Sequence, residues 1–583
     1  VPADGPPKRA GALECVAAGR WVWLLLCAVA AMPYAASLGG GFVSDDLLFV
    51  RDSFGLARTP WAFLTATFDV YYRPVYALSM AADCRLWGSW SPGWHLTNVA
   101  IHALATLAAF SLLLRLAPSR GLALLAAIVF ALQPCRVESV AWISGRNDSL
   151  CTLFCLWAVV WHLRAIEAPS WRRHALVAAF AALAAFAKEA GLVVLPLLVL
   201  AEWLSRRTVG RDSVWGRAAR LGPAVLAVAL YVTVHHHVTG GALWRASAPA
   251  ESPSGGLGGA MAALGHYAAM ALCAEPPLRW AGPVLADPMA SPWAWAGLAA
   301  GLAWLAALVR HRRLGPGLSF SLAWAGVCLA PALVVAASGG ALVPSSLWSG
   351  RYLYAPAWGL CLPLALMIHR SHVARPRLTR RLVSMAVVAY LVVCAVGCLW
   401  YRSSSRFWAL AASTSPEWAM GHAGHGESLL RSGDPARAAA ALARAVQLDT
   451  ARGDYAVLLA RALTGSGDPG GALAAARHAL ARLSTTRWRA LEALGDAHAA
   501  LAEPCEALRC YRRALRHAPH PPGFRPPAWV GLPTPDVTPG SLDVAVLARL
   551  YASTSGALED AGHRREAAEA LRLAVGLAGT TLP

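Results

Sequence analysis

The chain has 583 residues, 57% of them hydrophobic and only 14% charged. A soluble globular protein averages about 45–50% apolar and about 25% charged residues, so most of the N-terminal two thirds reads as membrane-embedded. The formal charge of +19 does not imply nucleic acid: much of the basic excess sits in short loops between apolar runs, without the aromatic interleaving of a nucleic-acid groove.

Lys8 and Lys188 are the only lysines, and Asn98 and Asn147 the only asparagines. Together with the abundant Ala and Gly, this bias suggests a GC-rich bacterial genome and hence a bacterial inner membrane. Lys8, Arg9 and Arg20 precede a first apolar run at 21–38 with no clear small-residue cleavage site, which predicts an uncleaved first helix. Further spans are expected at 97–114, 121–133, 149–165, 173–187, 190–204, 221–236, 293–309, 317–337, 353–369 and 383–400.

Arginine sets the sides. The loops marked by Arg115 and Arg120, by Arg164, Arg172 and Arg173, by Arg206–Arg220, by Arg310–Arg313 and by Arg370–Arg381 should all be cytoplasmic. The run 173–204 must then cross twice, turning at Lys188–Gly191. The stretch 259–274 is expected to lie at the outer interface or re-enter rather than cross. The sum is 11 crossings, with the N-terminus inside and the C-terminus outside. Cys84 and Cys135 would share the outer side, where a disulfide is possible. Cys151/Cys155 and Cys394/Cys398 are read as small packing residues inside spans.

The outer face collects the polar segments. Asp45-Asp46 follows Gly39-Gly40-Gly41-Phe42-Val43-Ser44, where glycines let the chain turn off the membrane. A carboxylate there suits a general base on an acceptor hydroxyl, or a divalent cation (Mg or Mn) held against a phosphate. The plain alternative is a helix cap at Ser44.

Tyr72-Arg73-Pro74 follows, with an arginine suited to a phosphate oxygen. His95, Asn98 and His102 share one helix face, and interhelical bonding is their expected role. Residues 138–148 are expected to form an amphipathic outer helix ending at Gly145 and carrying Glu138, Arg146 and Asp148. Lys188 sits beside Glu189 as its expected counter-ion, and Arg351-Tyr352 opens a late span. Arg73, Lys188 and Arg351 are therefore candidates for one phosphate site. His235-His236-His237 is a weak candidate for metal.

After residue 415 a pattern recurs. Gly433-Asp434-Pro435 precedes Ala438 and Ala445, and Gly467-Asp468-Pro469 precedes Ala472 and Ala479. Glu503-Pro504 precedes Ala507 and Ala514, and His563 precedes Ala567 and Ala574. The first two steps, of 34 and 35 residues, have the period of tetratricopeptide repeats, with small residues where paired helices touch, and the third, of 60, is one repeat plus an insertion. A Pro-rich insertion at 519–541 is expected to be a loop. Such a solenoid offers a groove for polypeptide. The expected domains are 1–402 and 403–583.

In order, the aspartate pair, Tyr72-Arg73-Pro74, the His95/Asn98/His102 helix and Glu138 with Ala141-Trp142-Ile143-Ser144-Gly145-Arg146-Asn147-Asp148 form a recognisable series. With Lys188-Glu189, Arg351-Tyr352-Leu353-Tyr354 and the trailing repeats, the chain resembles the transmembrane and tetratricopeptide-repeat protein O-mannosyltransferases. That resemblance implies an all-α GT-C-type membrane bundle followed by an α-solenoid. It also implies a polyprenyl-phosphate-linked sugar donor, and inverting transfer to Ser or Thr of an acceptor polypeptide outside the cytoplasm. The chain departs at Gln133-Pro134-Cys135-Arg136, where relatives often carry His-Pro-x-His, and at Gly350, where they often carry Glu. A non-catalytic membrane-anchored scaffold and a ligase or polymerase of lipid-linked glycan are the other classes compatible with the sequence.

Overall fold

The computed structural model describes residues 12–65, 67, 71–205, 213–240, 256–272, 288–310, 315–338, 349–484, 486–518, 527, 529–530 and 544–579. The chain forms two compact units, Val1–Phe407 and Trp408–Pro583.

In the first unit, seven helices among the described residues are long and apolar enough to cross a membrane. The bent pair Arg120–Leu132 and Pro134–Ala141 makes an eighth. The other three expected spans coincide with shorter helices: Trp171–Ala187 (17 residues), Val194–Ser205 (12) and Trp358–Ala374 (17). At a rise of about 1.5 Å per residue, none of the three covers a hydrocarbon core of about 30 Å alone. Among the described residues, eleven full-length crossings are therefore not present. The missing length lies where helices end inside protein, as at Lys188.

Burial orders the bundle. The apolar window within Ile143–Glu167 is 78% buried, against 17% for Pro376–Trp400 and 11% for Pro292–Val309. The first is central, and the other two leave most of their apolar surface uncovered, as a lipid-facing helix must. The turn at Lys188–Gly191 follows from close packing: a Cβ on Gly191 would lie 2.1 Å from the Ala184 carbonyl oxygen. Only glycine lets the chain double back so tightly.

The expected amphipathic helix through Gly145 does not form. A short helix Val137–Ala141 gives way to extended Trp142 and a 3-10 turn Ile143–Gly145; the long helix Arg146–Glu167 then begins. Every residue from 130 to 153 is buried. The polar side chains that looked like a wet face instead find partners within the protein. No Cys84–Cys135 disulfide is present: the two pack in separate clusters around Trp94 and Tyr267.

In the second unit the helices pair as Ala419–Arg431 with Pro435–Leu448, Gly453–Gly465 with Pro469–Arg482, Arg487–Ala500 with Pro504–His517, and Val544–Asp560 with Arg564–Gly579. The repeat alanines Ala438, Ala445, Ala472, Ala479, Ala507, Ala514, Ala567 and Ala574 are all buried, which lets the paired backbones approach. The turn within each pair carries a positive φ: Gly433 (80°), Gly467 (85°), Ala502 (56°) and Gly562 (83°). Asp434 and Asp468 then cap the following helix, accepting from the Arg437 and Gly471 N–H groups at 3.1 and 2.8 Å. Most of the Pro-rich insertion 519–541 lies outside the described residues, as do Arg206, Arg207, Arg211, Arg312 and Arg313.

Candidate active site

The two adjacent aspartates part company. Ser44 takes φ = 51°, a left-handed conformation uncommon outside glycine, and the helix Asp46–Arg58 begins just beyond it. Asp46 is fully buried. Its Oδ1 accepts from the Ser144 N–H at 2.8 Å and the Ser144 Oγ–H at 2.5 Å, and its Oδ2 accepts from the Val43 N–H at 3.0 Å. Burial pushes the Asp46 carboxyl up to about 7, against the opposing pull of those donors. Asp46 thus fastens the first loop to the Ile143–Gly145 turn.

Asp45 is exposed and lines a cavity of about 170 Å³. It accepts from the Ser44 hydroxyl at 3.2 Å. Neither Ser44 nor Asp45 makes a side-chain cap on the helix. Because Asp46 is spent on three protein donors, the pair does not offer two carboxylates to one side. A divalent cation held by both does not fit this geometry. Among the described residues there is no cluster of three or more His, Cys, Asp or Glu side chains arranged for a metal. His235 is buried, whereas His236 and His237 are exposed, as successive positions on one helix must diverge.

The three candidate cations meet at this same cavity, each held by a carboxylate. Arg73 pairs with Glu189 at 2.6 Å, Lys188 with Asp148 at 2.5 Å, and Arg351 with Glu138 at 3.7 Å. Lys188 therefore answers to Asp148, not to its neighbour Glu189. The extended geometry at Lys188 points the two side chains apart. Aromatic faces flank the cations: Arg73 lies 4.1 Å from the Tyr71 ring centre, Lys188 5.3 Å from Tyr352, and Arg351 5.3 Å from Trp142. Tyr71, Trp142, Asn147, Asp148 and Tyr352 complete the polar wall, and Cys151, Cys155, Cys328 and Val335 lie on the apolar side.

Other sequence candidates sit behind the cavity. Tyr72 is turned away, donating to the Leu64 carbonyl at 2.9 Å and packing in a separate cluster with Tyr231. Its neighbour Tyr71 takes the cavity position, because consecutive residues of an extended segment face opposite sides. Glu138 accepts from the Ser349 hydroxyl and from the Arg351 N–H at 3.0 Å, and so anchors the Gly350–Leu353 turn. Arg146 is fully buried against Asp83 at 2.6 Å and donates to the Trp94 carbonyl at 3.2 Å. Asp83 also accepts from the Thr97 hydroxyl at 2.8 Å.

Asn98 donates to the carbonyls of Val140 and Trp142 at 3.2 and 2.8 Å. His102 bridges Tyr354 and the Ala131 carbonyl at 2.7 and 3.2 Å. His95 is buried against Gly40. Of the two divergent positions, Arg136 is fully buried, donates to the Gln133 side chain at 2.8 Å and stacks on Phe130 at 3.9 Å; Gly350 opens the turn that Glu138 holds. Sequence reasoning missed Tyr71, Asp83 and Asn147. Asp83 carried a signal, a carboxylate within the otherwise uncharged run 75–84, while Tyr71 and Asn147 carried none beyond their neighbours.

No family model matches the chain. The curated proteins that it resembles are protein O-mannosyl-transferases. It is 27% identical over 227 residues to protein O-mannosyl-transferase F38B6.6 of Caenorhabditis elegans, across 36% of this chain and 31% of that protein. It is 31% identical over 212 residues to protein O-mannosyl-transferase TMTC4 of Homo sapiens, across 30% of this chain and 28% of that protein. The chain thus matches about a third or less of the length of either relative. The crystal structure of MamA overlays 30% of this chain and 88% of its own at 21% identity, with a TM-score of 0.23; so low a score carries no argument.

Proposed function

We propose that this chain is a membrane glycosyltransferase that moves a sugar, mannose by its similarity, from a polyprenyl-phosphate donor to Ser or Thr hydroxyls of polypeptide on the extracytoplasmic face of a bacterial inner membrane. The observation that carries the reading is the joint lining of one cavity by Asp45 and by Arg73, Lys188 and Arg351.

In this mechanism the acceptor oxygen attacks the anomeric carbon as the carbon–oxygen bond to phosphate breaks. A single displacement inverts that carbon. The acceptor proton passes to Asp45, and the phosphate leaves with one added negative charge. The three cations are placed where that charge grows, and fixed charges in a water-poor site act strongly on a transition state. Glu189 and Asp148 keep the Arg73 and Lys188 side chains extended into the cavity before the donor arrives.

The repeats are the proposed site for recruiting the acceptor polypeptide, raising its effective concentration without touching the chemistry.

The deciding experiment uses membranes holding the full chain, a panel of polyprenyl-phosphate sugars, and detection of sugar on protein. Transfer from a lipid-linked sugar, abolished by Asp45→Asn, supports the reading. No transfer from any donor, together with no donor binding, would leave a scaffold. Reporter fusions after residue 402 test the side: fluorescent GFP with inactive alkaline phosphatase would place the repeats in the cytoplasm and overturn the outer active site.

A further inference from the structure

The cavity wall carries hydrogen-bond acceptors that the protein leaves unused. Asn147 and Asp148 begin the long central helix, both line the cavity, and they are only 7% and 9% exposed. The Asn147 amide is oriented by its own chemistry: its Nδ2–H donates to the Ser144 carbonyl at 3.2 Å, and the reverse orientation would set oxygen against oxygen. That fixes Oδ1 as the free end, and Asn147 Oδ1 has no partner among the described residues. Asp148 Oδ1 accepts from Lys188, whereas its Oδ2 likewise has none.

A buried acceptor without a partner is unfavourable, and these two share one cavity wall. Their natural complement is a donor brought by a ligand. A phosphate offers no such donor, and of the cations that suit phosphate Lys188 meets Asp148 at Oδ1, not at Oδ2. A metal ion would sit beside the Lys188 ammonium, which repels it. Hydroxyl groups of a neutral sugar satisfy both atoms without adding charge.

We propose that Asn147 and Asp148 form the subsite that reads the hydroxyls of the transferred pyranose, resting on the donor reading above. Ser144 links this subsite to the buried aspartate: Asp46 holds the Ser144 N–H and hydroxyl, and the Ser144 carbonyl aims the Asn147 amide. Asp46 and Ser144 are thereby positioning residues for sugar recognition.

The test measures binding of three lipids to the full chain in nanodiscs: polyprenyl phosphomannose, its monodeoxy analogues, and the methyl phosphodiester of the same lipid. The methyl ester keeps the phosphate charge and the chain but offers no hydroxyl. The mannosyl lipid is expected to bind at least about 10-fold more tightly than the methyl ester, and one monodeoxy analogue to lose about 3- to 30-fold. In Asn147→Ala that analogue should bind as the full sugar does. Equal binding of mannosyl and methyl lipids overturns the subsite but leaves the phosphate site standing. Failure of both to bind overturns the donor reading and the subsite together. If Asn147→Ala does not fold, the deoxy series on the unaltered chain decides alone: full binding by every analogue refutes the subsite. Binding of Mn²⁺ alone, lost in Asn147→Ala with discrimination between sugars unchanged, would assign the acceptors to a cation instead.

Discussion

Asp46 is the residue whose role can be checked by protons. Burial raises its carboxyl from 3.8 to about 7 in the folded chain, with the Ser144 and Val43 donors opposing. A folded value above the unfolded one means that the folded state binds more protons between the two. Stability from this group is therefore full below about pH 4 and declines as the pH rises through about 7. At about 1.36 kcal/mol per unit, the change between about pH 5 and about pH 8 comes to roughly 3 kcal/mol. Asp46→Asn removes the titration. One oxygen remains to accept from Ser144, but the amide nitrogen meets the Val43 N–H, donor against donor, which destabilises by about 1–3 kcal/mol. The variant should be weaker than the unaltered chain at pH 5 and should draw level with it, or pass it, by pH 8. Thermal unfolding in detergent, followed by tryptophan fluorescence across that range, gives the comparison. If the two proteins follow parallel pH curves, Asp46 is not the buried titrating carboxyl described above.

Other consequences are simpler. Asp45→Asn should lower turnover about 10²- to 10⁴-fold with an unchanged melting temperature, because Asp45 is exposed and caps nothing; full activity would remove it as the base. Asp83→Asn should destabilise the membrane unit by about 3–5 kcal/mol, since it leaves fully buried Arg146 without its counter-charge. A normal melting temperature for that variant would show the pair to be dispensable. In the repeats, Ala502 occupies the left-handed turn that glycine fills in the other three pairs. Relief of about 1–2 kcal/mol, less about 0.4–1 kcal/mol of added chain entropy, predicts that Ala502→Gly is neutral to stabilising by about 1 kcal/mol. Faster proteolysis of the Arg487–His517 region in that variant would contradict the strain.

Apolar runs, arginine-marked loops and the Gly-Asp-Pro spacing were enough to predict a membrane bundle followed by helix-pair repeats. Those features act locally, through helix length, capping and small-residue contacts, so one-dimensional spacing carries them. The same holds for the turn at Lys188–Gly191, where charge parity demanded a reversal and glycine permits it. What the sequence left open was direction and partnership. Asp45 and Asp46 are adjacent and of one type, yet a left-handed Ser44 sends one to the cavity and the other to Ser144, nearly a hundred residues away in sequence. Tyr72 stood beside Arg73 among the candidates, but the phase of an extended segment gives the cavity position to Tyr71. Glu189 looked like the counter-ion of Lys188, but Asp148 is. Residues 138–148 have the polar pattern of a wet helix surface and are buried throughout, and several of their donors and acceptors are met by Asp46, Asp83, Asn98 and Ser349 from distant parts of the chain. Pairings of that kind depend on which helices pack together, and only the tertiary structure decides them.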